Sequence, residues 1–268
     1  MMRFFKKIII FFFSIFLLLV FGFIIYLNTK YITPVLMYHY LDNSSIVQKD
    51  KRYIQPQTFE RQMRFLKKNK YNVISLEEFA QALKSKKTLP RNTVVLTFDD
   101  GHLDNYLFAF PILKTYSLPA TMFIISGEIG QQGRMTPKQI KELSDSGLIT
   151  IGSHTISHEH LPSINDKEIL KKEIFKSKKI LEDITKKSVN CFSYPIGGFN
   201  SEIRQMVIDA GYTTAIGTSP GLNYPNNDPY AIKRVRISNN SRNLFIFWFE
   251  SSGLYKHLLE WRKERSYD

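Results

Sequence analysis

The stretch TVVLTFDDG, Thr93 to Gly101, decides the fold expected for this chain. Its first six residues are a continuous β-branched and apolar run, which is typical of a strand buried on both faces. Two aspartates follow at the carboxyl end, and the glycine behind them allows the backbone a tight turn. Because adjacent carboxylates repel each other, we expect a positive charge close to both.

Strand-like and helix-like segments alternate on both sides of this run. Helices are predicted to start at the capping residues Thr58, Ser75 and Thr136. This alternation predicts an α/β fold with parallel strands, and six to eight strands favour an irregular (β/α) barrel. Strands are predicted at 34–40, 72–76, 93–98, 119–125, 148–154, 190–195, 213–218 and 232–237.

The N-terminus carries the pattern of a membrane anchor. Basic residues precede an uncharged run of 20 residues, Ile8 to Leu27, which as a helix spans about 30 Å, the thickness of bilayer hydrocarbon. A cleaved signal peptide is the alternative, although no small-residue cleavage site follows the run. The resulting prediction is a cytoplasmic tail at 1–7, a transmembrane signal anchor at 8–27, a tether at 28–33 and an extracytoplasmic domain at 34–268, which makes a single-pass protein of the cell membrane.

Composition excludes several other classes of protein. The chain has 268 residues, a net charge of +13 and one cysteine, Cys191, so no disulfide can form within it. The lysines are scattered and no aromatic-interleaved basic array is present, which argues against nucleic-acid binding. We interpret the charge as a solvated basic surface, or as attraction to a polyanionic cell envelope. Cys191 is expected to be a small buried apolar residue.

Polar residues follow several of the predicted strands at their carboxyl ends. Asp99 and Asp100 end one strand, His154 and His158 follow another, and Tyr194 follows a third. His39 closes the first predicted strand. In a (β/α) barrel these ends meet on one rim, where the chemistry of such folds is found. We therefore expect side chains that are far apart in sequence to converge there.

Two imidazoles and one carboxylate form an open metal site that leaves positions for water and substrate. His154 and His158, four residues apart, supply the imidazoles, and Asp100 supplies the carboxylate. Asp99 then lies beside the cation without binding it, where it can act as general base on a water molecule. One divalent ion is expected: Zn²⁺ suits these ligands best, while Co²⁺, Ni²⁺, Fe²⁺ and Mn²⁺ also fit. Either motif alone is more often a turn or an ordinary surface or core feature; together they predict a metal centre.

TFDDG and HTISH together resemble the first two motifs of the polysaccharide deacetylases of the NodB-homology type, carbohydrate esterase family 4. The resemblance extends from about Pro34 to Ile237. PVLMYHYL, FPILKTYSLPATMFI, FSYPIGGFN and KRVRIS are similar to the intercellular-adhesin deacetylases, which act on poly-β-1,6-N-acetylglucosamine. The resemblance implies a distorted (β/α)7-type barrel, the NodB fold, preceded here by the transmembrane helix.

The resemblance also implies a role for each matched residue. Asp99 corresponds to the catalytic base, and Asp100, His154 and His158 correspond to the metal ligands. Tyr194 matches the position whose backbone N–H helps form an oxyanion hole. The implied reaction is hydrolysis of an N-acetyl group, in which water attacks the carbonyl, a tetrahedral oxyanion forms and acetate leaves the sugar amine.

The chain departs from the family pattern at three motifs. No arginine precedes Tyr194, and neither the Asp-rich fourth motif nor the Leu-x-His of the fifth is present. The identity of the general acid is therefore open. Our hypothesis is that His39 donates the proton to the leaving amine; the alternative is that it only hydrogen-bonds a neighbour. His257 is expected to be a surface residue of a terminal helix.

Four more polar residues are candidates for the same site. Arg234 is similar in position to an arginine of the adhesin-deacetylase subgroup and either pairs with Asp99 or lies on the surface. His102 and Asp104 either contact the sugar or cap the next helix, and capping is favoured. His160 is expected to lie outside the ligand set or to be exposed.

The leading hypothesis is a membrane-anchored, metal-dependent N-deacetylase of a GlcNAc polymer, with poly-β-1,6-GlcNAc, a biofilm exopolysaccharide, as the favoured substrate. Peptidoglycan, with its GlcNAc and MurNAc residues, is the second substrate. A weakly active glycan-binding scaffold is the alternative from another class of protein, because the fourth and fifth motifs are absent. The sequence leaves the oligomeric state open.

Overall fold

The computed structural model describes residues 11–19, 21–22, 32–42, 50, 52–218, 227–253 and 255. The strands are β1 Val35–Tyr38, β2 Tyr40–Leu41, β3 Tyr53–Ile54, β4 Asn72–Ile74, β5 Thr93–Phe98, β6 Ala120–Ile124, β7 Ile149–Ser153, β8 Cys191–Ser193, β9 Thr214–Gly217, β10 Ile232–Lys233 and β11 Val235–Arg236. The α-helices are α1 Pro56–Lys68, α2 Leu76–Lys84, α3 Phe110–Tyr116, α4 Pro137–Asp145, α5 Lys167–Lys171, α6 Ser177–Thr185, α7 Ser201–Asp209 and α8 Leu244–Glu250. Single π-helical turns, Asn105–Ala109 and Lys172–Lys176, precede α3 and join α5 to α6.

The main sheet is parallel and closes almost into a barrel. Its strand order is β10-β9-β8-β7-β6-β5-β1-β11, and β4 pairs with the first half of β5. Every strand pair within this sheet is parallel in the described part of the chain. The predicted α/β class and parallel, distorted barrel are therefore confirmed. A separate short pair, β2 with β3, follows β1 on the rim.

Alternation along β5 explains why the run TVVLTF is apolar throughout. All six of its residues are buried. Val95 packs inside the barrel with Val35, Phe123, Cys191 and Ile216. The alternate residues of β5 pack outward, in the larger core beneath the helices. Since side chains alternate across a strand, the inward face that carries Val95 continues to Asp99 at the mouth of the barrel.

The last predicted strand is interrupted at Arg234. β10 and β11 flank this residue and lie at opposite ends of the strand order. The chain therefore crosses from one edge of the sheet to the other at Arg234, whose side chain is 5% exposed. The sequence predicted one strand at this point, whereas the structure places the seam of the barrel there.

Two of the three predicted helix caps are confirmed. The Ser75 hydroxyl accepts a hydrogen bond from the amide of Glu78, and Thr136 forms a reciprocal capping box with Gln139. The prediction for Thr58 is wrong, because the cap position of α1 is Gln55, three residues before Thr58, and the helix begins at Pro56. Proline is favoured in the first turn of a helix, because a backbone N–H at that position has no hydrogen-bond acceptor within the helix and proline lacks the N–H. Thr58 is instead buried within α1.

The predicted membrane anchor lies partly outside the described residues. Positions 11–19 and 21–22 are helical. Over the part of the chain that the structure describes, no helix reaches the length and apolarity needed to cross a membrane. The span at 8–27 remains a prediction from sequence.

Candidate metal and catalytic site

Asp100, His154 and His158 converge at the mouth of the barrel. One carboxylate oxygen of Asp100, Oδ1, lies 3.5 Å from Nε2 of His154 and 3.5 Å from Nε2 of His158. One ligand atom from each of the three residues lies within 4.8 Å of the other two. The parallel strands β5 and β7 end on the same rim, so residues 54 positions apart meet as the barrel prediction requires.

The spacing of these atoms fits a divalent cation. Two ligand atoms about 2.0–2.1 Å from a tetrahedral zinc ion lie about 3.4 Å apart. His154 Nδ1 lies 2.8 Å from the carbonyl oxygen of Ser193. Because a carbonyl only accepts, Nδ1 must carry the hydrogen, and Nε2 keeps its lone pair toward Asp100. A carbonyl that fixes the tautomer of a ligating histidine is a common feature of metal sites.

The backbone at two of the three candidate ligands is left-handed. The φ angles are +72° at Asp100 and +61° at His158. This region is uncommon for non-glycine residues, although Asp and His adopt it more readily than most, and surrounding contacts must hold it. Gly101, with φ of +69°, completes the turn after β5, and a Cβ there would lie 3.2 Å from the side chain of Ile124. Close packing therefore holds the turn that presents Asp100.

Glu173 fixes the loop that carries His158. Its carboxylate accepts hydrogen bonds from the amides of Ile156 and Ser157 at 2.8 and 2.9 Å, and from the Ser157 hydroxyl at 3.0 Å. Glu173 is 7% exposed and lies on the π-helical turn before α6. The Thr155 hydroxyl in turn accepts from the amide of His158 at 3.1 Å. These bonds hold the turn between the two histidines in one conformation.

His102 and Arg134 support Asp100 from the other side. His102 Nε2 lies 3.2 Å from Asp100 Oδ2, and an Arg134 Nη donates to the Asp100 carbonyl oxygen at 2.9 Å. Burial would raise the pKa of Asp100, but the hydrogen bond with His102 and the neighbouring imidazole of His154 bring that pKa well below its usual value. The carboxylate is therefore ionised and available as a ligand. The predicted capping role of His102 is wrong, and Asp104 makes no side-chain cap either.

Asp99 forms a bidentate ion pair with Arg234 inside the barrel. The two Nη–Oδ distances are 2.7 and 2.6 Å, and Asp99 is 3% exposed. Arg234 also donates to the Thr97 hydroxyl and the Gly217 carbonyl, each at 3.3 Å, and to the Ser193 hydroxyl at 3.2 Å. Of the two placements predicted for Arg234, pairing with Asp99 is the one observed.

The pair keeps Asp99 charged despite its burial. Desolvation by itself would raise the pKa of Asp99, but the charge and hydrogen bonds of Arg234, together with the neighbouring His154 and His39, more than offset it, so the pKa is lowered. One oxygen of Asp99 lies 4.0 Å from His154 Nε2. Asp99 is therefore an ionised carboxylate next to the ligand cluster and outside it, which is the arrangement expected for a general base.

His39 lies near both aspartates, but its environment opposes the predicted role of acid. Burial lowers the pKa of His39 to about 4, although Asp99 and Asp100 act in the opposite direction. At neutral pH its imidazole is then uncharged and has no extra proton to donate. Its buried Nδ1 has no hydrogen-bond partner among the described residues. The role of His39 as acid stays a prediction.

The predicted oxyanion donor is wrong. The backbone N–H of Tyr194 donates to the carbonyl oxygen of Ile216 at 2.9 Å, continuing the ladder between β8 and β9. Its ring is fully buried, and its hydroxyl donates to the Tyr230 carbonyl. Ile196, two residues on, lies in the 3-10 turn Pro195–Gly197 with φ of +59° and is 69% exposed. The backbone is therefore not helical at Ile196, and its amide lies inside a turn that the Gly197 N–H closes by donating to the Tyr194 carbonyl.

The remaining candidates lie at or beyond the edge of the site. His160 is exposed and lies against Gly198, where a Cβ would be 2.2 Å from its Nε2. Cys191 is buried inside the barrel, as predicted. His257 lies outside the described residues. Sequence reasoning missed Glu173 and Arg134, because a Glu or Arg in an amphipathic pattern gives no signal of a distant partner.

Comparison with known proteins agrees with this geometry. A sequence profile of the family described as polysaccharide deacetylase matches residues 86–215. The Bacillus subtilis (strain 168) protein YxkH, itself assigned to the polysaccharide deacetylases, is 34% identical over 205 residues, which are 76% of this chain and 71% of YxkH. The poly-β-1,6-N-acetyl-D-glucosamine N-deacetylase of Staphylococcus aureus (strain MRSA252) is 31% identical over 195 residues, 68% of this chain and 67% of that enzyme. The Streptococcus pyogenes deacetylase PplD, solved in complex with acetate, gives a TM-score of 0.72 at 28% identity and covers 81% of this chain and 97% of its own.

Replacing Arg234 with Gln leaves the buried Asp99 carboxylate without its cation. We expect the free energy of unfolding of the metal-free protein at pH 7 to fall by about 3–5 kcal/mol. The lowered pKa of Asp99 stabilises the fold above the ordinary value of 3.8 and loses this effect as the pH falls through the folded value. The difference between wild type and Arg234→Gln should therefore narrow below about pH 4 in urea titrations.

Arg236→Gln is the matched control for Arg234→Gln, because Arg236 is exposed and only two residues away. A surface change of this kind is expected to alter stability by less than about 0.5 kcal/mol. Equal effects of the two substitutions, or a difference that does not depend on pH, would contradict the assigned ion pair.

Glu173→Gln removes the negative charge that holds the amides of Ile156 and Ser157. The loop carrying His158 should become less ordered, and we expect the affinity for Zn²⁺ to fall by about 10–100-fold. Competition with a chromogenic chelator measures this without any catalytic assay. Glu168→Gln is the control, because Glu168 lies nearby on α5 and its partner Lys171 is exposed. An unchanged Zn²⁺ affinity in Glu173→Gln would show that Glu173 does not position the loop that carries His158.

Proposed function

Because the chain belongs to the polysaccharide deacetylase family and is a hydrolase of carbon–nitrogen bonds, we propose that it removes acetyl groups from N-acetylglucosamine residues of an extracellular polysaccharide with the help of one divalent metal ion. The observation that carries this proposal is the cluster of Asp100, His154 and His158 with the ionised Asp99 beside it. A glycan-binding scaffold without turnover has no use for a buried carboxylate held charged next to a metal site.

The residues of the chain divide the chemistry between them. Asp100, His154 and His158 hold the cation, which when bound supplies a Lewis acid and a water molecule of lowered pKa. Asp99 accepts the proton of the attacking water, and Arg234 keeps this carboxylate ionised and correctly oriented beforehand. As the tetrahedral carbon forms, its oxygen becomes negative and needs a positive charge or an N–H donor beside it.

Collapse of the tetrahedral species breaks the carbon–nitrogen bond and releases acetate. The leaving amine must gain a proton, and Asp99, protonated in the first step, is one carrier of it. His39 is the second candidate carrier, because it lies close enough to Asp99 and Asp100 to feel both charges. Its lowered pKa makes it the weaker donor at neutral pH.

The favoured substrate is poly-β-1,6-N-acetylglucosamine. The support for this choice is the Staphylococcus aureus relative that acts on this polymer and the sequence motifs shared with the adhesin-deacetylase subgroup. Zn²⁺ is the proposed ion, since two imidazoles and a carboxylate suit it. Peptidoglycan stays the second candidate polymer.

Acetate release from three polymers tests the proposal. The metal-loaded protein is incubated with β-1,6-linked GlcNAc oligomers, β-1,4-linked GlcNAc oligomers and peptidoglycan. We expect release from the β-1,6-linked oligomers, loss of release with a chelator and recovery on adding Zn²⁺ back. Release from peptidoglycan alone would identify peptidoglycan as the substrate in place of the β-1,6-linked polymer. If no polymer released acetate after metal reconstitution, the proposed deacetylase activity would be contradicted.

Variants separate the roles of the site residues in the same assay. Asp99→Asn should lower kcat by at least about 100-fold while Zn²⁺ stays bound, because it removes the base and keeps the ligands. Asp100→Ala should lose Zn²⁺ itself. His39→Ala should keep most of the activity if Asp99 returns the proton, whereas a loss as large as that of Asp99→Asn would make His39 the acid.

Localisation at the cell surface remains part of the proposal through the predicted anchor at 8–27. A polymer outside the cell requires the barrel to lie on the outer side of the membrane. Fractionation of cells, with protease added to intact cells, tests this. The full chain should sediment with membranes and lose its barrel to the protease, and recovery in the cytosol would contradict the anchor.

A further inference from the structure

Aromatic rings extend outward from the metal cluster along the rim of the barrel. His102, bonded to Asp100, has the ring of Tyr40 against it, with centroids 3.7 Å apart and planes at 33°. Tyr40 in turn stacks on Tyr53, with centroids 4.2 Å apart and planes at 7°. The three rings form a continuous stack that starts at His102, the hydrogen-bond partner of the candidate ligand Asp100, and ends at Tyr53. We call this stack of His102, Tyr40 and Tyr53 the aromatic ladder.

The outermost ring of the ladder is accessible. Tyr40 and Tyr53 face each other across the parallel pair of β2 and β3, which fixes their register. Tyr40 covers one face of the Tyr53 ring, and Tyr53 is only half-buried, so its exposed area lies on the opposite face and along the ring edge. The function proposed above uses Asp100 and leaves this face without a role.

Polar groups lie beside the ladder. Arg52 lies 5.5 Å from the centroid of Tyr40, and Asp50 holds its guanidinium through Nε and one Nη at 3.0 and 2.7 Å. The second Nη of Arg52 lies outside this pair, and the Arg52 side chain is 46% exposed. A flat aromatic face with adjacent charged donors and acceptors is a surface that matches a pyranose, whose ring has apolar C–H faces and a hydroxyl edge.

Resting on the function proposed above, we propose that the outer face of Tyr53, flanked by Arg52 and Asp50, is a subsite for a pyranose farther along the same polymer chain than the unit being deacetylated. The sugar packs its C–H face on Tyr53 and places its hydroxyls against the Nη of Arg52 that, among the described residues, does not bind Asp50. The ladder links this subsite to Asp100, so a chain lying on Tyr53 leads toward the catalytic centre. Recognition of further units of the chain makes a polymer a better substrate than a single sugar.

Binding of a β-1,6-linked glucosamine pentamer to the metal-loaded protein tests the subsite. This probe has no acetyl group to lose and presents the same ring faces as the substrate. Tyr53→Ala should weaken binding about tenfold, as expected for the loss of one stacked ring. Tyr53→Phe keeps the ring and should bind like the wild type. Tyr116→Ala, at the far end of α3, is the control for loss of a tyrosine elsewhere.

Turnover distinguishes this proposal from the proposed function. With a GlcNAc pentamer, Tyr53→Ala should raise KM about tenfold and leave kcat, as well as hydrolysis of a small aryl acetate, unchanged. Wild-type binding by Tyr53→Ala, or an equal loss on pentamer and aryl acetate, overturns the subsite. If the protein binds the pentamer through Tyr53 but releases no acetate, the subsite proposal stands and the proposed deacetylase activity is contradicted. No binding of the pentamer by the wild type rejects the subsite.

Discussion

The ion pair between Arg234 and Asp99 is the interaction on which the rest of the structure depends. It joins residues 135 positions apart in the interior of the barrel, where an unpaired charge would be very costly. Arg234 lies where the chain crosses between the two edge strands, and it also bonds β5, β8 and β9. The same guanidinium therefore closes the seam of the barrel and keeps the proposed base ionised. Structure and chemistry are coupled here, because neither charge is stable inside the barrel without the other.

The candidate metal ligands are held by a different principle, which is strain balanced by surrounding hydrogen bonds. Asp100 and His158 adopt left-handed backbone conformations that an isolated chain would seldom populate. Bonds from Arg134 and His102 support the first residue, and the clamp of Glu173 on the loop supports the second. The ligand atoms are therefore in place before a metal binds, which reduces the conformational entropy lost on binding.

The burial and polarity of the side chains on the rim change with distance from the ligand cluster. Closest to the ligands lie buried groups with shifted pKa values, and farther out lies the aromatic ladder that ends in the half-exposed Tyr53. Buried charges suit bond breaking, since low dielectric strengthens their interactions. Flat half-exposed rings suit weak, repeated contact with a sugar chain. This division agrees with a protein that works on one acetyl group within a long polymer.

The sequence by itself determined the parallel barrel and the core of the site. An apolar strand followed by Asp99 and Asp100, and the i, i+4 spacing of His154 and His158, are local patterns, and parallel strands bring such ends to one rim. The helix caps at Ser75 and Thr136 are also local, because each bonds an amide only three residues farther along the chain. Only the tertiary structure decided that Arg234 pairs with Asp99, that Glu173 holds the histidine loop and that the Tyr194 amide is already bonded in the sheet. These are contacts between distant segments, and the type of a residue does not reveal its partner until the chain has folded.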